Sequence, residues 1–151
     1  QLEYDGQALV AAKSYYPDGA GWRQGFRYTF ESDENNAITR INEYNTLGAP
    51  GDVVEIEYTT LPNTLVGLAG FNVEGYLGMM DIFPAGSFMQ AGKYLVQSVR
   101  IISGSLEYVC ELEYRFNEYN ALTFSRAVYT NVVQGTTERV LTRHYYYSCD
   151  E

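Results

Sequence analysis

Residues 108–116 decide the fold class, because they read Tyr-Val-Cys-Glu-Leu-Glu-Tyr-Arg-Phe and alternate between apolar and charged side chains. A period of two residues is typical of a β-strand with one buried face. The solvent face would carry Glu111, Glu113 and Arg115, with Val109 as the one apolar exception. The buried face would carry Tyr108, Cys110, Leu112, Tyr114 and Phe116.

The same kind of pattern recurs along the chain, separated by turn residues. Connections such as Pro17-Asp18-Gly19 and Gln134-Gly135 adopt tight-turn backbone angles, and short connections favour hairpins over crossovers. We therefore expect an all-β fold, a single curved antiparallel meander of roughly eight or nine strands that forms a half-barrel or a partly closed barrel. The predicted strands cover residues 9–16, 26–31, 37–44, 54–58, 93–103, 108–116, 121–132 and 138–149.

Composition bounds the class of the protein. Its 151 residues suit one domain with one core, and with 46% hydrophobic residues the chain is not expected to be disordered. The 15 tyrosines suit strands in which a ring is buried and its hydroxyl reaches water. The formal net charge of -9 argues against nucleic acid and anionic membranes as partners, because both attract Lys and Arg.

We expect a single all-β domain over residues 1–151, with hairpin repeats at 1–60, an apolar insertion at 61–92 and further hairpin repeats at 93–151. The insertion is rich in glycine, contains the three methionines and loses the alternation. We predict that it is a short irregular or helical segment packed against an open end or face of the sheet. No apolar run in the chain is long enough to span a bilayer.

The chain contains an internal repeat. Tyr28-Thr29-Phe30, a turn and Asn36-Ala37-Ile38-Thr39 match Tyr114-Arg115-Phe116, a turn and Asn120-Ala121-Leu122-Thr123. This alignment makes the first turn two residues longer than the second. A third, abbreviated copy starts at Tyr4 and ends at Leu9. A hairpin of this kind cannot bury its apolar face alone, so we expect the copies to pack side by side.

These units look like the tyrosine-rich hairpin repeats of YD/RHS-type surface proteins. The whole layout resembles a domain family of unknown function with a porin-like fold, found in Bacteroidetes cell-envelope lipoproteins. The resemblance rests on the repeats, then 54–59, Pro62-Asn63, the apolar middle and 92–96. It implies an exported protein of the cell envelope or extracellular space, with a signal and a lipid anchor outside this chain. It transfers no catalytic residues.

The residues themselves indicate no enzyme, no cofactor and no metal site. His144 is the one histidine, and nothing in the spacing places a nucleophile beside it. The run 33–36 offers clustered oxygens but lacks the ligand order of an EF-hand loop, so we interpret it as a hairpin turn. The pairs Glu55/Glu57 and Glu111/Glu113 could suggest glycoside hydrolysis, but strand alternation already explains them.

The two cysteines leave two alternatives open. Cys110 and Cys149 form a disulfide if their strands are adjacent, and export would favour that bond. Two separate thiols, one of them in the core, are the favoured alternative.

The surplus of aromatic residues is the feature that points to a function. We expect some rings to lie outside the core, and we select Trp22, Tyr145 and Tyr147 as candidate ligand-binding residues. The first hypothesis is a non-catalytic cell-envelope binding module with carbohydrate as ligand class. The alternative is a structural or assembly protein of the envelope that engages another protein through an edge strand or an aromatic patch.

Overall fold

The computed structural model of the chain describes residues 1–6, 8–62 and 94–146. Each strand in these residues pairs antiparallel with the next one, so that a single nine-stranded sheet runs in chain order. The predicted all-β antiparallel meander of eight or nine strands is therefore confirmed. The strands are β1 (Leu2–Asp5), β2 (Ala8–Asp18), β3 (Gly21–Ser32), β4 (Ile38–Tyr44), β5 (Pro50–Pro62), β6 (Tyr94–Ser103), β7 (Leu106–Phe116), β8 (Leu122–Asn131) and β9 (Thr136–His144).

Several strand boundaries differ from the prediction, and two of the differences bear on the predicted insertion and on the last strand. Leu61 and Pro62 belong to β5 rather than to the predicted insertion, and the rest of the 61–92 segment lies outside the described residues. β9 ends at His144, whereas the predicted last strand continued through Tyr145 and Tyr146. The described part of the chain contains no helix, and therefore none that is long and apolar enough to cross a membrane.

Among the described strands the sheet is open, with β1 and β9 as its two edges. Successive connections in a meander alternate between the two ends of the sheet. The connections after β2, β4, β6 and β8 share one end, which we call the upper end. The connections after β1, β3 and β7 share the opposite, lower end.

One face of the sheet, the core face, carries the buried apolar side chains. A row of directly opposite residues runs from Ile56 through Val99 and Cys110 to Tyr129. Val54 and Val99 are 0% exposed, and full burial of such a side chain contributes about 1.5–3 kcal/mol. The buried cluster consists of Ala12, Tyr28, Phe30, Ile41, Val54, Ile56, Val96, Val99, Ile101, Cys110, Leu112 and Tyr129.

Tyrosine serves this core because its hydroxyl can reach a backbone acceptor. The hydroxyl of Tyr58 donates to the carbonyl oxygen of Ile38 at 2.8 Å, and that of Tyr114 donates to the carbonyl oxygen of Val96 at 2.7 Å. Burial, followed by the charge of Asp33, raises the pKa of Tyr58 to about 12. These hydrogen bonds satisfy polar atoms that would otherwise be costly to bury.

The opposite face, the polar face, carries a chain of ion pairs across five strands. Arg40 lies 3.8 Å from Glu31 and 3.3 Å from Glu55. Arg100 lies 3.0 Å from Glu55 and 2.9 Å from Glu107. Exposed pairs of this kind contribute about 0–1 kcal/mol each. Their main effect is to keep this face hydrophilic and to favour the observed strand register.

Three of the turns share one design of five residues. In the turn after β7, the side-chain oxygen of Asn117 accepts hydrogen bonds from the N–H groups of Tyr119 and Ala121 at 3.0 and 2.9 Å. Asn120 has a φ of 58°, a left-handed conformation that asparagine tolerates. The turns led by Asp33 and Asn45 repeat the same pair of hydrogen bonds.

The repeat is present, but its predicted alignment is wrong. The turns led by Asp33 and Asn117 have the same length. In both hairpins the register shifts at the same place beside the turn, at Ser32 in the first and at Phe116 in the second. A constant offset of 84 positions therefore relates the copies, and Phe30 corresponds to Tyr114 rather than to Phe116. The sequence pattern cannot distinguish the two alignments, because shifting one copy by two residues against the other leaves every side chain on the same face of its strand.

Candidate functional site

The β2–β3 hairpin at the upper end of the sheet displays Trp22, one of the three candidate aromatic residues. Trp22 is 73% exposed and lies directly opposite Pro17. Two positions further from the turn, Tyr15 lies opposite Gln24, and both side chains are exposed. Directly opposite residues and alternate residues share a face of a sheet. We call this four-residue group on one face the aromatic hairpin surface.

The register also assigns this surface to the polar face. Tyr15 and Lys13 lie two residues apart on β2 and so share a face. The ammonium group of Lys13 pairs with Glu3, and Lys13 lies opposite Arg27 on β3. The hydroxyl of Tyr15 donates to the side-chain oxygen of Gln1 at 3.2 Å, which limits the movement of the ring. Tyr16 lies opposite Arg23 on the other face.

A bulge in β3 sets the geometry of this hairpin. The register shifts between Lys13 and Tyr15, where the hydroxyl of Ser14 donates to the carbonyl oxygen of Phe26 at 3.2 Å. A Cβ atom on Gly25 would lie 2.5 Å from the Ser14 oxygen. Glycine at this position therefore lets β2 approach closely, and the bulge brings Trp22 onto the same face as Tyr15.

The structure does not place Tyr145 near Trp22. The N–H of Tyr145 donates to the carbonyl oxygen of Thr123 at 3.0 Å, beside the β7–β8 turn at the lower end of the sheet. Its hydroxyl lies 3.1 Å from the Ser125 oxygen, and its half-buried ring packs against the small core cluster of Leu95 and Leu122. Tyr145 therefore has a structural role at the far end of the sheet from Trp22.

Of the neighbouring aromatic residues, Tyr146 is 91% exposed, and Tyr147 lies outside the described residues. His144 sits on the polar face with its ring edge against Phe124 at 5.3 Å between ring centroids. The guanidinium of Arg115 lies 4.7 Å from the centroid of the same Phe124 ring, an attractive cation–π geometry. His144 is thus packed as a sheet residue at the end of β9.

The thiol of Cys110 is free and buried in the structure. Burial is the main cause that raises the pKa of this thiol, to about 11, and a hydrogen bond with Tyr129 acts in the opposite direction. A buried thiol of this kind is unreactive. Cys149 lies outside the described residues, so the structure does not test the choice between a disulfide and the favoured alternative of two separate thiols.

A groove of about 520 Å³ crosses β5, β6 and β7 on the polar face. It brings together the two carboxylate pairs that the sequence singled out, together with Ser98 and Arg100, which the sequence did not indicate. Cross-strand neighbours such as Glu55 and Arg100 are far apart in the chain, and no local pattern reveals them. The lining residues are Glu55, Glu57, Gln97, Ser98, Arg100, Val109, Glu111, Leu112 and Glu113.

Most of these carboxylates already have partners. Glu55 is bound by Arg40 and Arg100, and Glu57 accepts a hydrogen bond from the Ser98 hydroxyl at 2.9 Å. Glu113 lies 3.5 Å from Arg126. The described residues contain no cluster of three or more His, Cys, Asp or Glu side chains arranged to hold a metal ion. The groove is therefore a solvated part of the charged face.

No protein-family model matches this sequence, and no curated protein matches it either. Among solved structures, the chain is similar to a porin-like protein from Bacteroides uniformis ATCC 8492, with 16% sequence identity over 93% of this chain and 73% of that chain. The TM-score is 0.35. With so low a score, no inference about function or location rests on this match, and the relation to YD/RHS repeats stays a prediction.

Proposed function

We propose that this chain is a non-catalytic binding module of the cell envelope, and that the aromatic hairpin surface takes carbohydrate. The observation that carries the proposal is the exposure of Trp22 on the same face as Tyr15. The envelope location rests on the resemblance of the repeats and of the chain layout, and the structure adds the surface.

The chemistry of this surface suits a sugar. The flat C–H faces of a pyranose pack well on an exposed indole or phenol ring, because such a ring offers a large apolar area. The amide of Gln24 lies beside Tyr15 and can donate and accept hydrogen bonds, which sugar hydroxyl groups require. Binding sites commonly combine aromatic contact area with a few placed polar groups.

The experiment is a glycan-array screen of the purified chain, with glycosidase activity measured on any glycan that binds. Trp22→Ala and Tyr15→Ala should each weaken a specific hit by about tenfold, equivalent to about 1.4 kcal/mol. Tyr146→Ala is the matched control, because it removes an aromatic ring that is even more exposed, at the other end of the sheet. Tyr147→Ala tests the remaining candidate.

Two results would contradict the proposal in different ways. An array without reproducible hits contradicts carbohydrate as the ligand class. A hit that survives Trp22→Ala and Tyr15→Ala, in variants with unchanged circular dichroism, contradicts the assigned surface. Hydrolysis of the bound glycan by the wild-type chain contradicts the non-catalytic role.

A second candidate function is an assembly role in which the chain pairs with another protein. It is favoured by the open sheet, because β9 is a long edge strand whose side chains are largely exposed. Edge strands of this kind are templates for the addition of a strand from another chain.

A further inference from the structure

Two cations lie directly opposite each other beside the aromatic hairpin surface. Lys13 on β2 lies opposite Arg27 on β3, one row further from the turn than Tyr15 and Gln24. Because Lys13 and Tyr15 share a face of β2, both cations lie on the same polar face as the aromatic rings. Like charges directly opposite each other destabilise a sheet. Strand pairing therefore does not explain this choice of residues.

Of the two cations, Lys13 is neutralised by an ion pair with Glu3. The hydrogen bond from Lys13 is the largest cause that lowers the pKa of Glu3, and the charges of Lys13 and Arg27 act in the same direction. Glu3 is therefore ionised at neutral pH and is held by Lys13. Two positive charges and one negative charge leave one positive charge here, although the chain carries a formal net charge of -9.

The remaining charge belongs to Arg27, whose side chain is exposed. Its central guanidinium carbon lies 5.8 Å from the centroid of the Tyr44 ring, an attractive cation–π geometry. In the described part of the chain, no carboxylate lies within ion-pair distance of this guanidinium. The contact with Tyr44 limits the movement of the guanidinium, and its N–H groups can still donate to an anion.

The aromatic rings and Arg27 lie along one line on the polar face. Trp22 lies opposite Pro17 at one end of this line, and Arg27 lies opposite Lys13 at the other. Pro17 and Lys13 are four residues apart in β2, which corresponds to roughly 13 Å along a strand. Tyr15 lies between them. A ligand that contacts both the indole and the guanidinium is therefore longer than a single sugar ring.

We propose that the aromatic hairpin surface binds an acidic oligosaccharide, with sugar rings on Trp22 and Tyr15 and a sugar carboxylate on the guanidinium of Arg27. This inference rests on the proposed function and adds the class of glycan to it. A planar guanidinium can hold a carboxylate through two parallel hydrogen bonds. The formal net charge of -9 repels a dense polyanion, which favours a glycan that carries its carboxylates sparsely along a mostly neutral chain.

The test compares acidic glycans with counterparts in which each carboxylate has been reduced to an alcohol. The sparsely charged probes are short glucuronoxylan fragments and sialyllactose, and the dense polyanion is a polygalacturonate fragment. All pairs are screened on an array, and the best pair is measured by calorimetry. At least one sparsely charged probe should bind about tenfold or more tightly than its reduced counterpart, and more tightly than polygalacturonate.

Variants then separate the charge from the aromatic contacts. Arg27→Gln should abolish the preference for the carboxylate and leave binding of the reduced glycan unchanged. Arg27→Lys, which keeps the charge but loses the planar fork, should retain only part of the preference. Trp22→Ala should weaken both members of the pair. Arg23→Gln is the matched control, because Arg23 is an exposed arginine of the same hairpin that lies on the other face and pairs with Asp18.

The support from Tyr44 has its own readout. Tyr44→Leu should reduce the preference for the carboxylate without weakening the reduced glycan, because it removes the ring that positions the guanidinium. Tyr44→Phe should restore most of the preference, since its ring offers the same kind of face to the cation. Circular dichroism of every variant confirms that the sheet is retained.

The contrary outcomes separate this inference from the proposed function. Equal binding of acidic and reduced glycans, or hits confined to neutral glycans, with binding lost in Trp22→Ala, would overturn the inference and leave the proposed function standing. A carboxylate preference that survives Arg27→Gln would overturn the assigned residue. Tightest binding to polygalacturonate, unaffected by Trp22→Ala, would overturn the joint site. Absence of binding to acidic and neutral glycans alike would contradict the proposed function as well.

Discussion

Trp22 lies directly opposite Pro17 in the β2–β3 hairpin, and the indole is left 73% exposed. Proline supplies a flat, rigid neighbour but no cover for the ring. The bulge at Gly25 places Tyr15 on the same face, so that two aromatic rings and the amide of Gln24 form one surface.

The Asn117 turn should be a sensitive point of stability. Asn117→Ala removes the acceptor for two backbone N–H groups and should lower the free energy of unfolding by about 1–2 kcal/mol. Asp33→Ala should have a similar effect, because the Asp33 turn has the same hydrogen bonds. Urea unfolding monitored by circular dichroism measures both. Unchanged stability in both variants would contradict the role of these side chains.

Asn120 provides an independent test of the same turn. Its positive φ is strained for a branched side chain, so Asn120→Val should lower the free energy of unfolding by about 1–2 kcal/mol. Asn120→Gly should be nearly neutral, since glycine adopts this conformation readily. Equal stabilities for the Val and Gly variants would show that the backbone strain is not realised in solution.

The buried tyrosines predict a loss of stability at high pH. Burial is the first cause that raises the pKa of Tyr28 and of Tyr58 to about 12 in the folded chain, compared with about 10 in an unfolded one. Because the protonated form is favoured in the folded state, the contribution to stability is complete below pH 10 and disappears as the pH rises toward 12.

The measurement is the urea midpoint at a series of pH values, with tyrosinate absorbance followed in parallel. Tyr58→Phe should reduce the pH dependence, and Tyr146→Phe, which changes an exposed ring, should not. A midpoint that stays constant from pH 9 to 12 would contradict the burial of these hydroxyl groups.

The Cys110 thiol should react slowly in the folded protein. It is buried, and its raised pKa of about 11 keeps it protonated near neutral pH. In the Cys149→Ser variant, a thiol reagent at pH 8 should therefore label the chain only after unfolding. When wild-type protein is unfolded without reductant, the same reagent should label two thiols per chain. Labelling of no thiol would establish the disulfide between Cys110 and Cys149.

Most of the fold was predictable because alternation is a local signal. Residues 108–116 predicted most of β7, and the turn residues predicted the order of the hairpins. The strands extend further than predicted at both sides of the β2–β3 turn, where Pro17, Gly21 and Gly25 interrupt the pattern. Pairing with the adjacent strand carries β2 and β3 through these positions, and no local pattern contains that information.

The candidate surface was predictable only in part. The exposure of Trp22 followed from its place beside a turn, but its alignment with Tyr15 and Gln24 depends on a bulge that one sequence does not reveal. Tyr145 was selected for its ring, whereas a hydrogen-bond partner 20 positions away, Ser125, holds it in place.

The most direct test of the central claim uses the fluorescence of Trp22, the single tryptophan in the chain. The best glycan from the array is titrated into the protein, and tryptophan emission and quenching by acrylamide are recorded at each concentration. We expect a saturable emission change and progressive protection of Trp22 from the quencher, both weakened by Tyr15→Ala and retained in Tyr146→Ala. Glycan binding that saturates by calorimetry while Trp22 remains fully accessible to acrylamide would contradict the claim that the aromatic hairpin surface is the binding site.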